Sequence, residues 1–344
     1  MFTFFLVLIY VKISEEDFIM VKIMVDLLGA DHNENSLFKG IVDAINQFDD
    51  LFIYACASSN LKTEEYEFDR NRFFIIDANN SINNYDSPPK AFFLKEDSSL
   101  VKGLNFYKND SSIEGFISCG PTGGVLVSSV LILGRINKIR PALAPLLYAK
   151  DHQFCIVDCG ANSDTRVQEF PLFAKMGTAF MKVMNVKNPK VYLLSNGIED
   201  SKGSDLVKEA FKVLHDEPKI NFCGNIEANK VLNGDADVVV CDGFSGNILL
   251  KSIEGSTAAL GYDVIMKAKE YNISDDVITK LIDSLRYKYD YNTQGGAILL
   301  GVNKLVIKAH GAATYETIYN TIIQAYHLIK RDFIQKIKKS ISEI

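Results

Sequence analysis

The chain is 344 residues long, 47% hydrophobic and 23% charged, a composition that fits a folded globular protein and excludes an intrinsically disordered one. Its formal net charge of -6 excludes a duplex nucleic-acid binder, which needs a clustered excess of Lys and Arg to displace counterions. The six cysteines (Cys56, Cys119, Cys155, Cys159, Cys223, Cys241) sit in or beside apolar runs with no CxxC pair, the usage of reduced thiols and not of a disulfide framework or a zinc site.

The opening MFTFFLVLIYV is apolar but too short for a membrane span, and it lacks the basic leader and cleavage site of a signal peptide. Residues 1–20 are therefore expected to be an N-terminal extension outside the fold, and 21–344 a single interwoven α/β catalytic domain. A weak membrane anchor is the alternative. From VKIMVD (21–26) onward, short apolar strands alternate with helical stretches, the signature of an α/β protein on a largely parallel sheet. Ligands in such sheets bind outside the carboxyl ends of the strands.

The first strand runs into LLGADH, which sets His32 at that edge. A helix is expected over 34–47, then strands LFIYACA (51–57), RFFIID (72–77) and GFISC (115–119). SCGPTGG (118–124) joins the last of these to a helix over 123–136. Its backbone N–H groups and the helix start form an anion site to which Thr122 adds a hydroxyl, a bare strand-to-helix turn being an equal alternative. Strand QFCIVDCG (153–160) ends in VDCGANSDT, whose Asp158 and Asp164 lack a third ligand for Mg²⁺, so capping of the next helix is the plainer reading. After KVYLLSN (190–196), GIEDSKGSD places Ser201 and Lys202 before a helix over 203–215, where they close over an anion or stand as a solvated loop. INFCGNI (220–226) and ADVVVCD (236–242) follow. CDGFSGN (241–247) is a second strand-Gly-helix turn, with Lys251 one turn into a helix over 247–269; the glycines serve either a phosphate or simply a tight turn. KLVIKAHG (304–311) carries His310 to the same edge as His32, and one long helix is expected over 315–341. No GxSxG elbow, HExxH or spaced Cys-His pair is present, so a protein nucleophile is not evident.

VDLLGADH, KEDSSLV, SCGPTGG, RPALAPLL, VDCGANSD, FAKMG, EDSKGSDLVKEAF, NFCGNIEA, DVVVCDGFSGNILLK and YNTQGGAILLGVNKLVIKAHG resemble, in order and spacing, the phosphate acyltransferase (PlsX) family, over residues 21–330. The resemblance implies a three-layer, Rossmann-like architecture of the isocitrate/isopropylmalate dehydrogenase type with a protruding helical segment. It also implies a reaction in which inorganic phosphate attacks the thioester of long-chain acyl carrier protein, giving acyl phosphate for phospholipid synthesis, with no cofactor or metal. The partners implied are acyl carrier protein, inorganic phosphate, a second subunit in a homodimer, and a glycerol-3-phosphate acyltransferase downstream. The location implied is cytoplasmic, peripherally on the membrane. Residues 264–288 correspond to a membrane-facing helical hairpin, with Val277, Ile278, Leu281, Ile282 and Leu285 as an apolar face beside Lys280, Arg286 and Lys288.

By position in matching blocks, the resemblance implies Lys202, His310, Asn225 and His32 as catalytic. It assigns Asp26, Gly29, Asp31, Thr122, Gly123, Asn162, Asp164, Gly203, Asp242, Gly243, Gly246 and Asn247 to substrate or phosphate. Pro121 departs from the family's SAGNTGA by replacing an Asn, and Ala30 replaces a glycine in the first turn. The competing functions are a phosphate acetyl- or butyryltransferase acting on acyl coenzyme A, and a non-catalytic scaffold that binds the carrier.

Overall fold

Strand β1 (Val21–Asp26) sends Ile23 and Val25 to one face of a sheet and Met24 to the other, and both faces are buried, as a central parallel strand requires. This computed structural model describes residues 20–150 and 152–342; the expectation for residues 1–19 lies outside them. Helix α1 (Glu34–Gln47) starts at Asn33, whose side chain accepts from Asn35 N, and buries Leu37, Phe38, Ile41 and Ile45. Strands β2 (Leu51–Ala57) and β3 (Phe73–Asp77) continue the sheet on one side of β1. Helices α2 (Pro88–Leu94) and α3 (Ser99–Asn109) lead to β4 (Gly115–Ser118), parallel to β1 on the other side, and to α4 (Thr122–Leu133).

The chain then forms β5 (Ala142–Ala144), β6 (Leu146–Ala149), β7 (His152–Val157), α5 (Phe170–Val183), β8 (Lys190–Ser195), α6 (Asp205–His215), β9 (Asn221–Glu227) and β10 (Val238–Val240). Next come α7 (Gly243–Glu270), α8 (Asp275–Tyr289), β11 (Ala297–Leu300), β12 (Leu305–Lys308), α9 (Tyr315–Lys330) and α10 (Phe333–Ser342). The first sheet has the order β3-β2-β1-β4-β12-β11-β5, with β11 antiparallel to both neighbours; the second has the order β6-β7-β10-β8-β9, parallel except for β6. The sheets are mostly parallel and helices cover both faces, which gives the expected three layers.

One apolar core runs from Ile23, Val25 and Ile117 of the first sheet to Val157, Val191 and Val238 of the second, through α1, α5 and α9. The sequence periodicity suggested one helix over 315–341, but the chain turns at Asp332, whose φ of 54 is left-handed. Ile318, Ile322, Phe333, Ile337 and Ile341 all reach the same core, so the apolar period survives the break. The helix expected at 247–269 is α7, and with α8 it forms a hairpin that stands away from the body. In its 28 residues, roughly 42 Å, only Gly243, Gly246, Leu249, Leu250 and Ala268 are buried. The apolar face expected on α8 divides: Ile278 is buried, Ile282 and Leu285 turn toward α7, and Val277 and Leu281 are exposed. No helix among the described residues is long and apolar enough to cross a membrane.

Candidate active site

Three adjacent parallel strands, β1, β4 and β12, end together, and their turns are tied to one another. Asp31 N donates to Gly311 O at 2.8 Å, and Ala309 N donates to Ser118 O at 2.9 Å. Gly29 lies so close to the second turn that a Cβ would meet Gly120 N at 2.6 Å and Gly120 Cα at 2.7 Å, so only glycine fits. Beneath them Asp26 is fully buried and accepts the Ser118 hydroxyl at 2.7 Å; burial outweighs its hydrogen bonds and raises its pKa.

A cavity of about 330 Å³ opens over these turns and is closed on the far side by α7 and the end of β7. Of the residues implied by the sequence, it gathers Gly29, Asp31, Thr122, Asn247 and His310. It adds Lys308, Lys251, Glu254 and Asn84, which the site assignment missed. Strand alternation was the available signal for Lys308, since it precedes His310 by two residues and shares its side of the strand. Asn84 sits in a loop with no such signal.

The helix α4 opens onto the cavity without a side-chain cap, because Pro121 at its N-cap has none to offer. The first N–H groups of that helix have no intrahelical acceptor and carry the positive end of its dipole. Lys308 lies beside this opening, nine-tenths buried; its ammonium donates to Ala309 O and is in no carboxylate ion pair among the described residues. Burial pulls its pKa below the ordinary lysine value, with Asp31 opposing. His310 Nδ1 accepts from Ala312 N at 3.2 Å, which leaves the proton of the neutral ring on Nε2. Burial, then Lys308 and Lys251, depress the pKa of that ring, so it stays neutral to lower pH than an ordinary histidine. Two thiols line the cavity and burial disfavours the thiolate of both, pushing Cys119 up to about 12 and Cys159 well above its normal range.

In the second glycine turn three amides are already taken. Gly243 N donates to Asn162 O, Ser245 N to the Asp242 carboxylate and Gly246 N to Asp242 O, so this turn offers the Asn247 side chain instead. Gly243 and Gly246 are needed for packing, since their Cβ atoms would lie 2.4 Å from Asn162 O and 2.0 Å from Asp158 O. Gly123 is held against Pro88. Asn162 is consumed below the floor: it donates to Pro141 O and to Asp158, and accepts from Arg140. Asp158 also accepts from Leu143 N at 2.8 Å and Asn162 N at 2.7 Å, a buried clasp on backbone; it caps no helix, since the next one, α5, has Glu169 at its N-cap, so the helix-capping expectation is not met. Asp164 is exposed and paired with Arg140 at 2.6 Å, a hydrogen bond that lowers its pKa.

His32 is exposed and lies outside the cavity lining. Lys202, Gly203 and Asn225 form a separate polar group at the carboxyl ends of β8 and β9. There Asn225 donates to Glu199 O at 2.9 Å, Gly203 takes a φ of 105, and the buried Ser195 hydroxyl and Asn225 Oδ1 have no partner among the described residues.

Comparison with known proteins bears on this arrangement. The sequence profile of the family described as "Fatty acid synthesis protein" matches residues 21–336. The phosphate acyltransferase of Clostridium perfringens strain SM101 is 39% identical over 94% of this chain and 97% of its own length. Among solved structures, a phosphotransacetylase from Streptococcus pyogenes superposes with a TM-score of 0.55 at 19% identity, covering 94% of each chain. The 4-hydroxythreonine-4-phosphate dehydrogenase of Klebsiella pneumoniae gives 0.53 at 11%, covering 90% of this chain and 99% of its own, so both share the fold. With a profile spanning nearly all of the described fold and a relative similar along almost its full length, the chain belongs to the fatty acid synthesis protein family, the family of phosphate acyltransferases.

Proposed function

We propose that this enzyme transfers a long-chain acyl group from the thioester of acyl carrier protein to inorganic phosphate, releasing the carrier thiol and acyl phosphate. The observation that carries the reading is Lys308, a buried ammonium without a carboxylate partner, set beside the uncapped start of α4. Buried charge is retained where a counter-charge arrives, and a phosphate bound there accepts from Lys308, Lys251, Thr122 and the α4 amides.

Inorganic phosphate has a second pKa of about 7, so near neutral pH a large share is already dianion and needs no base to make it. One of its oxygens attacks the thioester carbonyl, the carbonyl π electrons move to oxygen, and the tetrahedral oxyanion collapses with loss of the thiolate. The proton of the hydrogen phosphate ends on the departing sulfur, so no outside acid or base is consumed. The His310 ring, neutral with Nε2–H, donates to the developing oxyanion. With both cavity thiols protonated, the phosphate itself is the nucleophile.

Lys202 and Asn225 stand at the carboxyl edge of the second sheet and are read as contacts for the carrier arm. The exposed Tyr271, Ile273, Val277 and Leu281 of the α7–α8 hairpin support contact with a lipid surface, and hence a cytoplasmic, peripheral location. A homodimer and hand-over of the product to a glycerol-3-phosphate acyltransferase complete the reading. The test is phosphorolysis of palmitoyl carrier thioester, with acyl phosphate trapped by hydroxylamine. Absence of trappable product refutes the enzyme, and a preference for butyryl or acetyl coenzyme A transfers it to the short-chain phosphotransacylases.

A further inference from the structure

A second cavity, about 540 Å³, lies between α7 and α8 and shares two lining residues, Glu254 and His310, with the polar cavity. Its walls are Ala258, Gly261 and Ile265 from α7 facing Ile282, Leu285 and Tyr289 from α8. One helix face serves both spaces. Asn247, Lys251 and Glu254 line the polar cavity, and the same row continues as Ala258, Gly261 and Ile265, at steps of three and four residues. The charged groups of the cleft, Glu254, Arg286 and Asp290, belong to the hairpin's base, and apolar side chains follow toward its tip.

We infer that this cleft holds the acyl chain of the substrate and measures its length, with the thioester at His310 and the methyl end toward Ile265. The inference rests on the acyl transfer proposed above. The occupant follows from continuity: a chain whose carbonyl lies in the polar cavity has this apolar space as its next neighbour, and the volume falls within the range of ligand pockets, roughly 300–1000 Å³. Its reach follows from helix rise. From Glu254 to Ile265 α7 advances about 16 Å. An extended chain covers about 1.2 Å per bond, so roughly thirteen bonds fit before the chain passes Ile265. Each methylene that enters is worth about fourfold in affinity. Gly261 lies about 10 Å from Glu254, roughly nine bonds along, and a Cβ there meets nothing within 4 Å.

The experiment compares kcat/KM for phosphorolysis of straight-chain thioesters from butyryl to stearoyl in wild type, Gly261→Leu and Ile282→Phe, with Gly255→Leu as control. Gly255 is on the same helix, also with open space around it, but outside the cleft. Wild type is expected to improve steadily with length and level off near myristoyl. Gly261→Leu and Ile282→Phe are expected to raise the octanoyl-to-palmitoyl ratio by about tenfold or more, while Gly255→Leu keeps the wild-type profile. A diazirine-bearing palmitoyl thioester is expected to label peptides of α7 and α8 in unmodified protein, a readout that needs no variant to fold. An unmoved profile in both cleft variants, or label found elsewhere, overturns the cleft while leaving the enzyme intact. A changed sedimentation coefficient with an unmoved profile overturns it in favour of a second copy of the chain. No acyl phosphate from any thioester in wild type defeats the underlying transfer reading instead.

Discussion

Replacing Lys308 by Met separates the two consequences of a buried ammonium with no carboxylate partner among the described residues, because they have opposite signs. Methionine keeps most of the side chain's volume and removes the charge. In the phosphate-free protein, burial holds the Lys308 pKa below its ordinary 10.5, so between the lowered value and 10.5 the unfolded chain binds the extra proton and stability rises with pH. At neutral pH the charged form therefore opposes folding. Its removal is expected to stabilise the protein by a few kcal/mol at most, the effective penalty of burying one ion less the hydrogen bond to Ala309 O that goes with it, at roughly 2 °C in Tm per kcal/mol. Catalysis moves the other way. A hydrogen bond from a charged donor contributes about 1.5–3 kcal/mol, so kcat/KM for phosphate is expected to fall about 10- to 150-fold. The assay is a thermal melt with and without inorganic phosphate, beside hydroxylamine-trapped turnover. At a hundredfold excess over Kd, phosphate is expected to raise the stability of wild type by about 2.7 kcal/mol and that of the variant by much less. A Lys308→Met protein that melts lower than wild type, yet keeps its full gain from phosphate, refutes the placing of the anion.

Gly29→Ala forces the turn at Gly120 outward by the better part of an ångström; a misplacement of that order costs about 100-fold in kcat/KM, measurable as turnover at saturating thioester. Pro121→Asn gives α4 a side-chain cap and is expected to raise stability by about 1 kcal/mol. The same cap competes for the amides assigned to phosphate, so KM for phosphate is expected to rise; a fall in KM instead shows that the side chain itself holds the substrate. Asn162→Ala opens the buried clasp on Asp158 and is expected to cost about 1–3 kcal/mol in a denaturant titration while KM for phosphate stays put. The acid limb of kcat, taken at fixed concentration of the phosphate dianion, is expected below the ordinary histidine value of 6.5, because the neutral His310 ring is lost only as pH falls through its depressed pKa. His310→Gln, which keeps an N–H donor, is expected to abolish that limb.

The strands of both sheets that carry the cavity were legible as apolar runs, several of them ending in Asp, Gly, Asn or Cys. The three that were missed, β5, β6 and β11, are short pieces inside RPALAPLL and QGGAILL, where prolines and glycines mask an extended run. The glycine turns were visible but their chemistry was not: Gly29 and Gly246 look alike in sequence, and only the path of a second strand's backbone makes each obligatory. Asn162 and Lys308 make the same point about side chains. Both lie in conspicuous blocks, yet one is spent on Asp158 and Arg140 while the other faces an open cavity, a difference set by contacts far along the chain. The hairpin's amphipathic pattern was read as one surface and proved to be two, because a 15-residue helix with a wide apolar arc has room to face both a neighbour and the solvent.

The core that passes without interruption from one sheet to the other has a mechanical consequence for the enzyme. The strands β1, β4 and β12 whose turns floor the phosphate cavity share that core with β7, so they are expected to open together only in global unfolding and to show matched protection in amide hydrogen exchange. The hairpin, with few buried residues along its length, belongs to the low-stability end of that scale. Motion is thereby expected in the outer length of α7 and α8, while the strand turns and the buried start of α7 that line the anion cavity keep their shape.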